Sequence, residues 1–237
     1  MSDVDPGATD SRLSDDVVVP STPQVTVIIP CRNEAGSLPG VLEAVPAGYR
    51  SLVVDNGSDD GTAEVARAHG ATVVHEAAPG YGAAVHRGVE AVETPILCVL
   101  DGDGSLDPGE LPALVALLIE GADLAVGRRM PERGTDWPLH ARAGNAVLAF
   151  RLRHKFGLPV HDIGAVRAMR TNTLLELGVE DRRSGYPLEL LVRAGRSGLR
   201  VEEHPVTYRP RTAGTSKVSG SVAGSAIATW DFLKVIR

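Results

Sequence analysis

Two aspartates separated by one glycine, Asp101-Gly102-Asp103, are the residues of this chain best suited to hold a cation. They leave the apolar run PILCVLD (95–101), so two carboxylates start from one tight turn and can converge on a single hard ion. Mg²⁺ takes one or two protein carboxylates and completes its shell with water and phosphate oxygens. An ion held in this way on a diphosphate stabilises the charge of a leaving group. The string Asp-Gly-Asp-Gly is also ordinary turn chemistry, so its position in the fold must decide between the two readings.

Other polar clusters follow apolar runs in the same manner. They are Pro30-Cys31-Arg32-Asn33-Glu34, Asp55-Asn56-Gly57-Ser58-Asp59-Asp60 and Gly127-Arg128-Arg129. Asp55 and Glu34 have the chemistry to accept hydrogen bonds from a base or ribose. The competing reading of the second cluster is helix capping, with Ser58 and the acids after it favouring a helix N-terminus. Gly80-Tyr81-Gly82 lets a helix start approach a ligand or a neighbouring strand closely. The dinucleotide pattern fails there because Val85 stands where its third glycine belongs, and no Walker-type phosphate loop is present. Arg211 and Lys217, either side of Gly214 and Ser216, form a cationic loop able to close over a diphosphate.

The elements that must position these residues read as a strand-helix alternation. Strands are expected at 25–30, 51–55, 71–76, 95–101 and 123–129, and helices near 37–45, 61–69, 81–93 and 109–120. The strands are rich in β-branched residues and almost continuously apolar, as strands covered on both faces are. Such alternation predicts an α/β fold with a mainly parallel sheet flanked by helices, whose ligands bind at the carboxyl ends of the strands. All four polar clusters fall there. A basic amphipathic stretch (139–156) then precedes a strand at 164–169, helices near 172–177 and 187–197, and a strand at 199–208. Residues 1–22 read as a disordered acidic tail, 23–221 as the catalytic domain and 222–237 as an amphipathic helix carrying Val222, Ala226, Trp230 and Leu233 on one face.

Charge is lopsided. Residues 1–127 hold 5 Lys+Arg against 20 Asp+Glu, and residues 128–237 hold 19 against 10. A carboxylate-rich half beside an arginine-rich half suits a metal ion plus a polyphosphate. Nucleic acid is not expected as a partner, because no basic cluster is interleaved with stacking aromatics, which make up 4 % of the chain. The two cysteines, Cys31 and Cys98, read as reduced core thiols, in keeping with a cytoplasmic protein. No signal peptide and no membrane span is read, leaving a peripheral contact at the inner face of a membrane as the expected one.

The motifs together resemble the family 2 glycosyltransferases of GT-A fold, and within them the dolichyl- or polyprenyl-phosphate sugar synthases. The resemblance runs from about residue 24 to 225 through VTVIIPCRNEAGSL, VVDNGSDDGT, GYGAAVHRGVEA, LDGDGSLDP, DLAVGRR, DIGAVRAMR, YPLELLVRA and PRTAGTSKVSG, in family order. It implies that Pro30, Arg32, Glu34 and Asp55 contact the nucleotide of a nucleoside diphosphate sugar. Asp101 and Asp103, with Gly102 between them, would hold Mg²⁺ or Mn²⁺ on the diphosphate. Arg129 would meet phosphate between donor and acceptor, and Arg211 and Lys217 would clamp the donor. The chain departs from the family at Asn56, at Ser105 (in place of a metal-supporting Gln) and across Ile163–Arg167. No counterpart of the family's C-terminal membrane helices is read.

Two enzymatic readings follow. Transfer of a hexose to a polyprenyl phosphate needs cations to position an already ionised nucleophile, and Arg129, Arg142, Arg151 and Arg153 suit that. Transfer to a hydroxyl needs a carboxylate base, for which Glu189 or Asp162 is available. Asp103, Arg129 and Glu189 are thus the candidate catalytic residues. A processive polysaccharide synthase is excluded, since its Gln-x-x-Arg-Trp signature cannot be built when Gln24 is the only glutamine. A non-catalytic sugar-nucleotide-binding module is the remaining alternative, and the intact Asp-x-Asp pair speaks against it.

Overall fold

A computed structural model of the chain describes residues 24–135, 137–164 and 166–212. The expected acidic tail, Lys217 and the terminal amphipathic segment lie outside the described residues.

Seven strands form one sheet in the order β3-β2-β1-β4-β6-β5-β7. They are β1 (Val25–Cys31), β2 (Arg50–Asp55), β3 (Thr72–His75), β4 (Ile96–Val99), β5 (Leu124–Pro131), β6 (Arg167–Arg170) and β7 (Val201–Tyr208). The sequence VTVII of β1 is wholly buried between β2 and β4, as continuous β-branched runs in parallel sheets are. The sheet is parallel except at β6, which runs antiparallel to both β4 and β5. The strands and helices expected within the described residues are present, with ends that differ by one to three residues; β1, β2 and β5 run further than expected.

The helices are α1 (Leu38–Glu43), α2 (Thr62–Ala68), α3 (Tyr81–Ala91), α4 (Leu111–Ile119), α5 (Leu139–Phe156), α6 (Thr171–Leu177) and α7 (Tyr186–Arg196). One face of the sheet is covered by α1, α2 and α4 through Leu38, Val41, Ala66, Leu114 and Leu118. The other is covered by α3, α5, α6 and α7 through Val85, Val89, Leu152, Leu174, Leu188 and Leu191. This is a three-layer α/β sandwich around a sheet buried on both faces.

The antiparallel β6 matters for the site. Arg167, its first residue, lies opposite Val99, the last residue of β4. The segment entering β6, with Asp162 and Gly164, therefore arrives at the edge where β4 releases Asp101 and β5 releases Arg129.

Candidate active site

Asp101 follows the buried β4 by two residues, and its carboxyl is pushed up to about 7, first by burial and then by the charge of Asp103. The hydroxyl of Tyr81 hydrogen-bonds to it. Asp103 is buried, and its Oδ1 accepts the backbone N–H of Ser105 at 2.8 Å, which closes the turn. Gly102 is required here: a Cβ would lie 2.6 Å from Cys31 Sγ at the end of β1. Its carbonyl accepts the Ser37 hydroxyl at 2.8 Å. The neighbouring Cys31 thiol is pushed far up by burial and then by the charges of Glu34, Asp101, Asp55 and Asp103, of which Asp101 and Asp103 crowd the turn itself.

That crowd fits a hard divalent cation. Asp101 and Asp103 offer oxygen donors with excess negative charge, and among the described residues no group of three metal-ligating side chains occurs. A two-carboxylate set suits Mg²⁺ or Mn²⁺ that keeps water and phosphate oxygens in its shell.

Arg211 lies over this pair. Its Nη2 is 2.9 Å from Asp103 Oδ2, and its Nη1 is 3.9 Å from Glu34 Oε1. The next residue pins the strand in place, with Thr212 N donating to the Asp103 carbonyl at 3.1 Å. Gly104, at φ +74°, leaves the room for this approach, because a Cβ would strike the Thr212 hydroxyl. Ser105 also takes part through its backbone, its carbonyl accepting Arg209 N at 2.9 Å.

The ends of β1 and β2 are stitched to each other. Asn33, in the left-handed region at φ 56°, donates its N–H to Ser58 Oγ at 3.0 Å and accepts Asp59 N at 2.9 Å. Glu34 N donates to Thr62 Oγ1 at 2.9 Å, and Ala35 N to Asp60 Oδ2 at 3.0 Å. The helix-capping reading of Ser58 is therefore corrected. Gly61 is the N-cap residue of α2, and of the acids after Ser58 it is Asp60 that accepts Thr62 N at the helix start, at 3.0 Å, while Ser58 and Asp60 also tie the two loops together. Asp55 accepts Ser58 N at 3.1 Å and faces His75 Nδ1 at 3.1 Å. Asn56 binds the carbonyls of Glu76 and Ala78 and the N–H of Gly80, which accounts for this departure from the family pattern by local support. Pro30 sits opposite Val54 within the sheet, and Arg32 is exposed just beyond.

The opposite side of the site is built on an ion pair. Arg129 Nε and Nη2 bind Asp162 Oδ2 and Oδ1 at 2.8 and 2.7 Å, and Arg129 N donates to the same carboxylate at 2.9 Å. Burial opposes both charges, and the mutual hydrogen bonds outweigh it: Asp162 is held below the usual carboxylate range and Arg129 above its ordinary value. Trp137 and Tyr208 cover the guanidinium at 4.4 and 5.6 Å from their ring centroids, and Arg142 lies 6.0 Å from the Trp137 ring. Such stacking fixes the plane of the fork.

Both candidate bases already have partners in the structure. Arg129 and the Gly164 N–H occupy both oxygens of Asp162. Glu189 likewise accepts from Glu180 N and Asp181 N and binds Arg193. Its carboxylate holds the turn before α7. That turn in turn receives Gly82 N and Ala83 N on the carbonyls of Arg183 and Arg182, at 2.9 and 2.8 Å. The Gly80-Tyr81-Gly82 start of α3 therefore packs on a loop, and those two N–H groups are engaged by protein.

Arg167, Tyr81 and Tyr186 are site residues that sequence reasoning missed. Arg167 is 3 % exposed; Nη2 donates to the Gly164 carbonyl at 2.6 Å, and Nε has no partner. Its charge acts on Asp101, Tyr81 and Tyr186 together. An arginine opening the short strand Arg-Ala-Met-Arg was the available signal, since charged side chains are almost never fully buried without a partner.

The comparisons agree with this geometry. The Glycosyl transferase family 2 profile matches residues 26–177. A glycosyltransferase of Mycobacterium tuberculosis is 62 % identical over 212 residues, which cover 90 % of this chain and 97 % of the relative. The polyprenol monophosphomannose synthase of Mycolicibacterium smegmatis is 34 % identical over 242 residues, covering 91 % of this chain and 90 % of that one. The fold is that of glucosyl-3-phosphoglycerate synthase from Mycobacterium tuberculosis, solved with Mn²⁺, UDP and glucosyl-3-phosphoglycerate. The TM-score is 0.70 at 22 % identity, over 90 % of this chain and 78 % of that one. An Asp-x-Asp pair at the centre of an α/β sheet, in a chain so related, belongs to an enzyme: the protein is a member of glycosyl transferase family 2.

Proposed function

We propose that the enzyme transfers a hexose from a nucleoside diphosphate sugar to a polyprenyl (dolichyl-type) phosphate, with Mg²⁺ or Mn²⁺ as its ion. The observation that carries this reading is the engagement of Glu189 and Asp162. Both carboxylates that could have deprotonated a hydroxyl are tied to arginines and backbone N–H groups. The acceptor side presents a stacked guanidinium instead. A phosphate monoester, with its second pKa at about 6, arrives largely ionised and needs orientation more than a base. Relatives that act on polyprenol and undecaprenyl phosphates support the same choice.

Asp101 and Asp103 would hold the ion, which supplies charge neutralisation for the departing diphosphate. Pro30, Arg32, Glu34 and Asp55 line the side where the nucleotide would lie. Arg129 keeps donors beyond the two edges bound to Asp162, since a guanidinium has five N–H groups. Those donors orient the acceptor phosphate, one of whose oxygens forms the bond to the anomeric carbon as the bond to the diphosphate breaks. Arg211, with Lys217 beyond the described residues, adds positive charge over the leaving group.

The test is a screen of nucleoside diphosphate sugars, scoring nucleoside diphosphate release with and without a polyprenyl phosphate and with and without EDTA. Release that requires both the lipid phosphate and a divalent ion is expected. Equal release with a simple hydroxyl acceptor in place of the phosphate would favour the base-catalysed alternative.

A further inference from the structure

Helix α5 faces outward with the wrong chemistry for water. Its buried stripe is Leu148, Ala149 and Leu152. The opposite stripe, stepping by three and four residues along one face, is Leu139, Ala143, Val147, Phe150 and His154. Leu139, Val147 and Phe150 are 79 %, 56 % and 51 % exposed. Phe150 and His154 stack along the summit, with ring centroids 4.5 Å apart. A surface helix normally turns polar residues outward.

Cations border this stripe on both sides. Arg142 and Arg153 fall on one margin and Arg151 and Lys155 on the other, and the whole stretch 137–161 contains no Asp or Glu. Apolar residues at the crest with lysine and arginine along the flanks define a helix lying in the plane of a membrane interface. The long basic side chains reach past the apolar crest to the phosphate level.

We propose that α5 docks the enzyme on an anionic lipid surface, with Leu139, Val147 and Phe150 in the interface and the flanking cations on lipid phosphates. Charge disfavours two other occupants, a second copy and residues 222–237, while the acidic residues 1–22 are the competitor that native enzyme ignoring anionic vesicles would indicate. A second copy placing its own α5 on the same face would set arginines against arginines. Residues 222–237 of this chain carry Asp231, Lys234 and Arg237, and bring no net negative charge to match.

The placement serves the acceptor, and here the inference rests on the lipid-phosphate reading above. Asn145 of α5 accepts Ile163 N at 3.1 Å and donates to the His161 carbonyl at 3.5 Å, fixing the helix to the loop that carries Asp162. Asp162 holds Arg129, and Trp137 lies between Arg129 and Arg142. A phosphate at the membrane surface beside α5 thus has a short route to Arg129.

The experiment uses the full chain, the double variant V147S/F150S and K155Q, all of them exposed positions outside the site. Co-flotation is measured with phosphatidylcholine vesicles with and without phosphatidylglycerol, beside transfer to a short, water-soluble isoprenyl phosphate without vesicles. The native enzyme should bind only the anionic vesicles, with binding that weakens as salt is raised. V147S/F150S should lower partition about tenfold or more, given the apolar area withdrawn, and K155Q a few-fold. Transfer to the short acceptor should not change. Unaltered partition in V147S/F150S, or native enzyme that ignores anionic vesicles, would overturn the proposal. So would native dimers that the double variant dissociates while neither protein binds vesicles. If vesicle binding follows the variants but no isoprenyl phosphate is glycosylated, the docking surface stands and the acceptor reading falls.

Discussion

The guanidinium of Arg211 rests on the carboxylate of Asp103, Nη2 to Oδ2 at 2.9 Å, from a strand that Thr212 pins to the Asp103 carbonyl. A divalent ion and this arginine therefore seek the same oxygen. The arginine has to leave Asp103 for the ion to take up its full bond there, and in the proposed reaction Glu34, 3.9 Å away, and the donor phosphates are the negative groups that would receive it.

Arg211→Ala should accordingly separate two quantities that move together in most active-site variants. Mn²⁺ binding without nucleotide should hold or tighten. Turnover with the donor sugar should fall about 10²-fold, the usual weight of a charge placed on a developing anion. Calorimetric titration of Mn²⁺ beside steady-state kinetics checks this; weakened metal binding with unchanged turnover would contradict it.

The pH dependence follows from Asp101, raised from 3.8 to about 7 by burial and by Asp103. Without metal, the folded chain keeps a proton that the unfolded chain releases above about 4. The stabilisation this proton provides is complete below that pH and is lost as the pH passes about 7. A metal ion must displace the same proton, so its apparent affinity should drop about tenfold per pH unit below 7 and level off above it. Melting curves at pH 5.5 and 8, in EDTA and in Mn²⁺, should show the larger metal-induced rise at pH 8.

Glu189→Gln should behave as a structural change. The new amide cannot accept at both positions now filled by Glu180 N, Asp181 N and Arg193, and an unmet buried partner costs roughly 1–3 kcal/mol. A lower melting temperature is expected, with turnover per folded molecule within about tenfold of native. Loss of a true general base would cost about 10²–10⁴-fold with little change in melting.

Asp162→Asn should loosen Arg129 without touching the donor side. The expected outcome is a higher KM for a phosphate acceptor, with nucleoside diphosphate affinity unchanged. Equal weakening of both would mean that the pair supports the whole site.

Much of this was readable along the chain. Continuous β-branched runs such as VTVII and ILCV can only be strands covered on both sides, and strand ends in such sheets carry the ligand groups. Asp101, Asp103 and Arg129 were singled out in that way, and Arg211 as part of a cationic loop. The limits of α5 were also legible, but not its expected amphipathicity, because apolar residues fall on both its buried and its outward stripe.

What only the tertiary structure decided is who partners whom. Asp162 and Glu189 looked equally able to act as bases, and the first meets Arg129 across 33 positions of chain. Arg167 read as one more charged residue until the antiparallel entry of β6 placed it beside the end of β4. The outward turn of the apolar face of α5 depends on which stripe the core had already taken. Sequence spacing determines what lies within a turn or two of a residue, whereas a carboxylate's role depends on the charge that folding brings beside it.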